Sequence, residues 1–197
     1  MARERSVIII PGLGDNEKEI RWITGFWKRR GLIPVVHAVG WRDGQGFPQK
    51  LAKLISLVDK LDASGFEVSV VGTSAGGSAA LNTYWARRNV VKKVVNLCGR
   101  LRVGENVGRR SFVATTSTSM SFAQSVIMCE KNLGQLSWID KKKILTLRAW
   151  GFDELVPADT SIVTGAANIV IPLPEHLLAI SSALTISSKP LLNFLLD

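Results

Sequence analysis

The chain has 197 residues, 46% of them hydrophobic and 21% charged, the proportions of an ordinary globular domain, which exclude disorder or a coiled coil as the reading of the whole. The formal net charge of +9, with a pI near 9.9, favours solubility and attraction to anions. No basic helix with interleaved aromatics and no zinc-finger, RRM or KH pattern accompanies it, so a solvated basic surface is expected and nucleic acid is not an expected partner.

Only two cysteines occur, Cys98 and Cys129, with no CxxC pair and no disulfide framework. Cys98 lies in an apolar run and is expected to pack as a small hydrophobe. The first apolar run, Val7 to Ile10, is too short for a signal-peptide core or a bilayer span. A cytoplasmic protein without a membrane span is the expectation, in keeping with the few cysteines.

Val7-Ile8-Ile9-Ile10 is a continuous β-branched run, as in a strand buried on both faces of a parallel sheet. Pro11-Gly12-Leu13-Gly14 breaks it. Asn16 with Glu19 three residues on makes a capping-box pattern for a helix from about Glu17 to Arg30, with Ile20, Ile23, Trp27 and Trp22 as the inward face. Ile33 to Val39 reads as a second strand, and Gln49 to Ala63 as a helix with Leu51, Leu54, Ile55, Val58 and Leu61 at helical spacing. Val68 to Val71 is a third strand, followed by a helix from Ala75 to about Arg88 and a fourth strand from Val91 to Leu97. The stretch from Gly99 to Asp140 is the least legible. It holds Arg100, Arg102, Arg109 and Arg110, a Ser/Thr-rich run, and a helical pattern from Phe122 to Asn132. Ile144 to Trp150 and Ala167 to Ile171 are the fifth and sixth strands, and helices close the chain from Leu177 to Ile186 and Pro190 to Leu195.

Strands alternating with helices predict an α/β fold: a three-layer αβα sandwich around a six-stranded, mostly parallel sheet, with residues 1–197 forming one domain. In such sheets ligands bind beyond the carboxyl ends of the strands, which directs attention to the residues just after each strand.

After the third strand stands Gly72-Thr73-Ser74-Ala75-Gly76-Gly77, a GxSxG nucleophile-elbow pattern in its required strand-to-helix context. Side chains at the flanking positions would collide with neighbouring backbone, hence the glycines. After the fifth strand comes Gly151-Phe152-Asp153-Glu154-Leu155-Val156-Pro157, where Asp153 is the candidate acid, with Glu154 and Asp159 as competitors and helix capping as the plain structural alternative. After the sixth strand comes Pro174-Glu175-His176, holding one of only two histidines. The other, His37, lies in or at the end of the second strand and precedes the serine. The order Ser74, Asp153, His176, each after a different strand, is that of a hydrolase triad. The amides of Leu13 and Ala75 are the candidate oxyanion hole, although Gly12 and Gly14 also suit a plain tight turn. The same loop lacks the Walker lysine-serine spacing and GxGxxG, which sets nucleotide binding aside.

With these residues in place, nearly the whole chain resembles the α/β-hydrolase superfamily in a minimal form. Ile8 to Gly14 is similar to the family's strand and oxyanion loop, Gly72 to Gly77 to its elbow, Leu145 to Pro157 to its acid-bearing segment, and Glu175 to Ile180 to its histidine segment. The family's first two strands are missing, and Pro11-Gly12 replaces the His-Gly of many members, a change that lipase-like members tolerate. The resemblance implies a capless esterase-, lipase- or thioesterase-like serine hydrolase taking a small-molecule ester or other acyl substrate, without a metal or organic cofactor. Trp41, Met120, Phe122, Leu155 and Val156 are the candidate substrate walls, beside Leu13. Thioesterase, peptidase and acyltransferase chemistry on the same fold, or a hydrolase-like binding module without activity, are the alternatives.

Overall fold

The central strands are buried on both faces because helices cover both faces, and the alternation of side chains along each strand sorts the apolar residues into two layers. In the computed structural model, which describes residues 3–105, 108–151 and 153–197, β1 (Arg5–Ile10), β2 (Leu32–Val36), β3 (Glu67–Thr73), β4 (Val94–Leu97), β5 (Ile144–Ala149) and β6 (Ala167–Ile171) form one sheet in the order β2-β1-β3-β4-β5-β6. Every pairing is parallel, so the expected mostly parallel sheet is wholly so. Phe152 of the acid-bearing segment and positions 106 and 107 of the arginine-rich stretch lie outside the described residues.

Ile8, Ile10, Val68, Val70, Val94 and Ile144 face one apolar layer, covered by α2 (Phe47–Ala63), α3 (Gly76–Ala86) and α5 (Met120–Leu133). Val7, Ile9, Val71, Val95, Leu145 and Leu147 face the other, covered by α1 (Glu17–Ile23), a 3-10 segment over Gly25–Arg30, α7 (His176–Leu184) and α8 (Lys189–Leu196). Cys98 is fully buried in this second layer. Pro34 sits in β2, an edge strand, where a missing backbone donor is tolerated.

Several boundaries differ from the sequence expectation for identifiable reasons. The single helix from Glu17 to Arg30 is instead α1 plus the 3-10 segment, with Thr24 between them. Ile20 and Trp27 are buried, but Trp22 is 83% exposed, being about 200° around the helix from Ile20. Asn16 makes no side-chain cap hydrogen bond. Its ψ of 64° is not the extended conformation a cap needs, and its side chain lies over Gly14. β2 ends at Val36 because the following loop turns toward β1 and is held there by Asp15. β4 starts at Val94 because the amides of Val90 and Val91 close the last turn after α3 on the Arg87 carbonyl.

The stretch between β4 and β5 holds α4 (Phe112–Thr116), α5 and α6 (Trp138–Lys141). Each begins at a serine whose hydroxyl accepts a backbone amide: Ser111 from Ala114, Ser119 from Phe122, and Ser137 from Asp140. Among the described residues no helix is long and apolar enough to cross a membrane.

Candidate functional site

Ser74 follows β3 with a φ of 51°, a left-handed conformation rarely taken by residues with a Cβ. Its amide donates to the Leu97 carbonyl of β4 and its own carbonyl accepts from Gly77, so both peptide groups of the turn are bonded. Glycine is required on both sides. A Cβ at Gly72 would lie 2.1 Å from the Gly76 carbonyl oxygen, and one at Gly76 would lie 2.1 Å from the Ile10 carbonyl oxygen. Both obstacles are backbone atoms with no rotamer to yield. Gly76→Ala is therefore expected to lose about 3 kcal/mol of stability, measured as a lowered urea midpoint. An unchanged midpoint would contradict this close approach.

His176 opens α7 just beyond β6 and is fully buried, while Asp153 stands after β5 at 7% exposure. His176 Nε2 lies 2.9 Å from Ser74 Oγ, and His176 Nδ1 lies 2.8 Å from Asp153 Oδ2. Three side chains from three separate segments, one after β3, one after β5 and one at the start of α7, thus form one hydrogen-bonded chain. The second Asp153 oxygen, Oδ1, accepts the amides of Leu155 and Val156, each at 2.9 Å. Burial pushes the Asp153 carboxyl upward, but the hydrogen bond and charge of His176 and these two amides outweigh it and hold the carboxyl below its ordinary value. With Asp153 ionised, Nδ1 carries the imidazole proton and Nε2 is left to accept the Ser74 hydroxyl proton.

The competing acids are placed elsewhere. A Glu154 carboxylate oxygen accepts the backbone amide of His176 at 3.2 Å, which orients the start of α7. Asp159 lies in the 3-10 turn Ala158–Thr160, and its carbonyl accepts from Arg102. His37 follows β2. Burial lowers its pKa, with Lys53 also lowering it, against the raising effect of Glu17 and Asp15. The Cys98 thiol, raised to about 12 by burial and by the charge of Asp153, stays protonated.

The loop after β1 passes directly over the serine. A Cβ at Gly12 would lie 2.9 Å from Ser74 Cβ. Among the described residues neither the Leu13 nor the Ala75 amide has a hydrogen-bond acceptor. The Leu13 loop is held from outside by Asp15, whose φ is 47°. The Asp15 carboxylate accepts the amides of Val39 and Trp41, both at 2.9 Å, and Trp41 Nε1 donates to the Pro11 carbonyl at 3.1 Å. The partner loop is fastened in turn by Lys50. This side chain is buried in α2, and its ammonium donates to the Val39 and Gly40 carbonyls and to Asp43.

A cleft of about 350 Å³ opens beside Ser74 and His176. Its apolar walls are Ile20 and Ile23 of α1, Leu177, Ile180 and Leu184 of α7, and Leu13 and Leu155 from the loops. Of the five further wall candidates, Leu155 alone lines it. Trp41 is core: 2% exposed, stacked on Phe47 at 6.4 Å and edge-on to Phe122 at 5.8 Å. Phe122 and Val156 are likewise buried, while Met120 is exposed beside a separate shallow depression with Arg42. Apolar loop residues do not announce whether they point into a core or a cleft. The walls that sequence reasoning missed were visible only as the inner faces of two amphipathic helices. Among the described residues no group of three or more His, Cys, Asp or Glu side chains is arranged to hold a metal ion.

No family model matches the chain, and no curated protein sequence matches it. Solved structures do. Est1E from Butyrivibrio proteoclasticus superposes with a TM-score of 0.70 at 15% identity, over 98% of this chain and 88% of that one. A monoacylglycerol lipase from Paleococcus ferrophilus gives 0.70 at 13% identity, covering 98% and 95%. An enol-lactonase from Burkholderia xenovorans gives 0.68 at 10% identity, covering 100% and 93%. At these identities the likeness speaks for the architecture: the chain has the α/β-hydrolase fold.

Proposed function

We propose that this α/β-hydrolase-fold chain is a serine hydrolase that cleaves carboxylic esters through an acyl-enzyme, with Ser74 as nucleophile. The observation that carries the reading is the continuous chain Ser74 Oγ, His176 Nε2, His176 Nδ1, Asp153 Oδ2, with links of 2.9 and 2.8 Å. His176 takes the Ser74 proton as the oxygen attacks the ester carbonyl, and Asp153 holds the imidazole in the useful tautomer and stabilises its charged form. The amides of Leu13 and Ala75 receive the oxyanion, each such donor being worth about 3 kcal/mol. His176 then returns the proton to the departing alcohol, and water repeats the sequence on the acyl-enzyme. The apolar walls of the cleft favour an uncharged acyl group. The test is labelling by a fluorophosphonate, with the adduct located by mass spectrometry. A phosphonylated Ser74 is the expected result, whereas a wholly unlabelled protein would move the reading to a binding module without activity.

Asp15 acts here as a positioning residue. Asp15→Asn keeps the shape and tolerates the positive φ, but sets an amide donor against one of the two backbone donors. The expected result is a kcat reduced by about 10- to 100-fold through a displaced Leu13 amide, with KM little changed. Equal kcat in the two proteins would remove Asp15 from this role.

A further inference from the structure

A share of the positive charge gathers at one rim of the sheet. Because all six strands are parallel, their first residues share one rim, opposite the rim that carries Ser74. Lys28-Arg29-Arg30 lead into β2, Lys92-Lys93 into β4 and Lys141-Lys142-Lys143 into β5. Part of this charge is neutralised, since Arg5 and Lys92 both pair with Glu67 and Arg3 pairs with Asp62. Among the described residues, the Lys28 to Arg30 and Lys141 to Lys143 runs have no carboxylate within 4.0 Å. Some of these cations have local duties: Lys143 Nζ donates to the Arg88 carbonyl at 3.2 Å, where it caps the end of α3. The Lys28 to Arg30 run is exposed and, among the described residues, its side chains make no such bond.

A second feature adjoins the charge. Trp138 and Ile139, in α6 just before the lysine run, are 65% and 55% exposed. Their outward direction is fixed, because the buried residue of α6, Asp140, is tied inward by Tyr84 Oη at 2.8 Å and closes a capping box with Ser137. Lys142 Nζ stands 4.1 Å over the Trp138 ring. An indole and an aliphatic side chain held outward among lysines that have no carboxylate partner match the layered chemistry of a lipid surface, where tryptophan sits at headgroup depth and lysine meets phosphate. A nucleic acid would use the cations and the indole but offers nothing to Ile139.

We propose that the amino-end rim of the sheet docks on an anionic lipid surface, with Trp138 and Ile139 entering the headgroup layer and the two basic runs meeting the lipid phosphates. Each basic residue near an anionic leaflet strengthens binding by about fivefold. Docking in this sense turns the mouth of the Ser74 cleft away from the lipid, so substrate reaches it from water.

The test is sedimentation of the intact protein with vesicles of phosphatidylcholine alone and of phosphatidylcholine mixed with phosphatidylglycerol. Binding to the mixed vesicles only, released by high salt, is the expected result. Arg29→Gln/Arg30→Gln/Lys142→Gln, all at exposed positions, should weaken it by roughly a hundredfold. Trp138→Ser/Ile139→Ser should weaken it by roughly tenfold while leaving ester hydrolysis unchanged. No binding to mixed vesicles, or equal binding to both kinds, overturns the proposal. So does tighter binding to duplex DNA that ignores the loss of Trp138 and Ile139.

Discussion

Ser74→Ala should lower kcat for a short p-nitrophenyl ester by about 10⁶-fold and abolish fluorophosphonate labelling. The size follows from the part removed. Without the hydroxyl there is no covalent intermediate, and what survives is the modest assistance of the Leu13 and Ala75 amides to direct attack by water. The substitution is also clean. Alanine keeps the Cβ that already tolerates a φ of 51°, and both backbone hydrogen bonds of the elbow remain. Circular dichroism and the thermal midpoint should therefore stay close to the parent's. A variant that still turns over the ester at the parent's rate would place the nucleophile elsewhere and end the proposal made for this cleft.

The second large effect belongs to Asp153→Asn, for which kcat should fall by about 10⁴-fold. The geometry gives the reason. Because Oδ1 accepts two amides, from Leu155 and Val156, the asparagine oxygen must occupy that site, which turns its NH₂ toward His176 Nδ1. A donor facing Nδ1 moves the imidazole proton to Nε2, where it faces Ser74 and can accept nothing. The same carboxyl also links folding to pH. Its folded pKa lies below the ordinary 3.8, so its contribution to stability is complete above 3.8 and is lost as the pH falls from 3.8 through the lower folded value. Asp153→Asn lacks this contribution, and its stability should decline less steeply on acidification through that window. Urea titrations of both proteins across acid pH measure the difference. Parallel curves would mean that Asp153 is not held below its ordinary value.

The parallel sheet and the elbow were legible because each rests on a local rule. Runs such as Val7 to Ile10 admit few alternatives, and glycines around Ser74 are demanded by backbone atoms at 2.1 Å. The order of serine, acid and histidine followed from strand order alone. What sequence could not show was direction. Trp41 and Phe122 are candidate substrate walls in the sequence, yet both are packed in the core. Ile23 is expected as an ordinary inward position, yet it borders the cleft. Asp15 carried no pattern, since its partners Val39 and Trp41 lie more than 20 residues away. The three serine caps between β4 and β5 were readable in principle. They were obscured by the serines and threonines around them, any of which suits a cap by type.

The walls of the cleft and the groups proposed to react share one helix but not the other. Ser74 and Asp153 follow strands, His176 opens α7, and the apolar lining comes largely from α1 and from the body of α7. Ile20 and Ile23 of α1 take no part in the hydrogen bonds that join Ser74, His176 and Asp153, whereas any change in α7 is made on the helix that carries the imidazole. On this scaffold α1 is the place where the shape of the cleft can be remoulded apart from the three groups proposed to react.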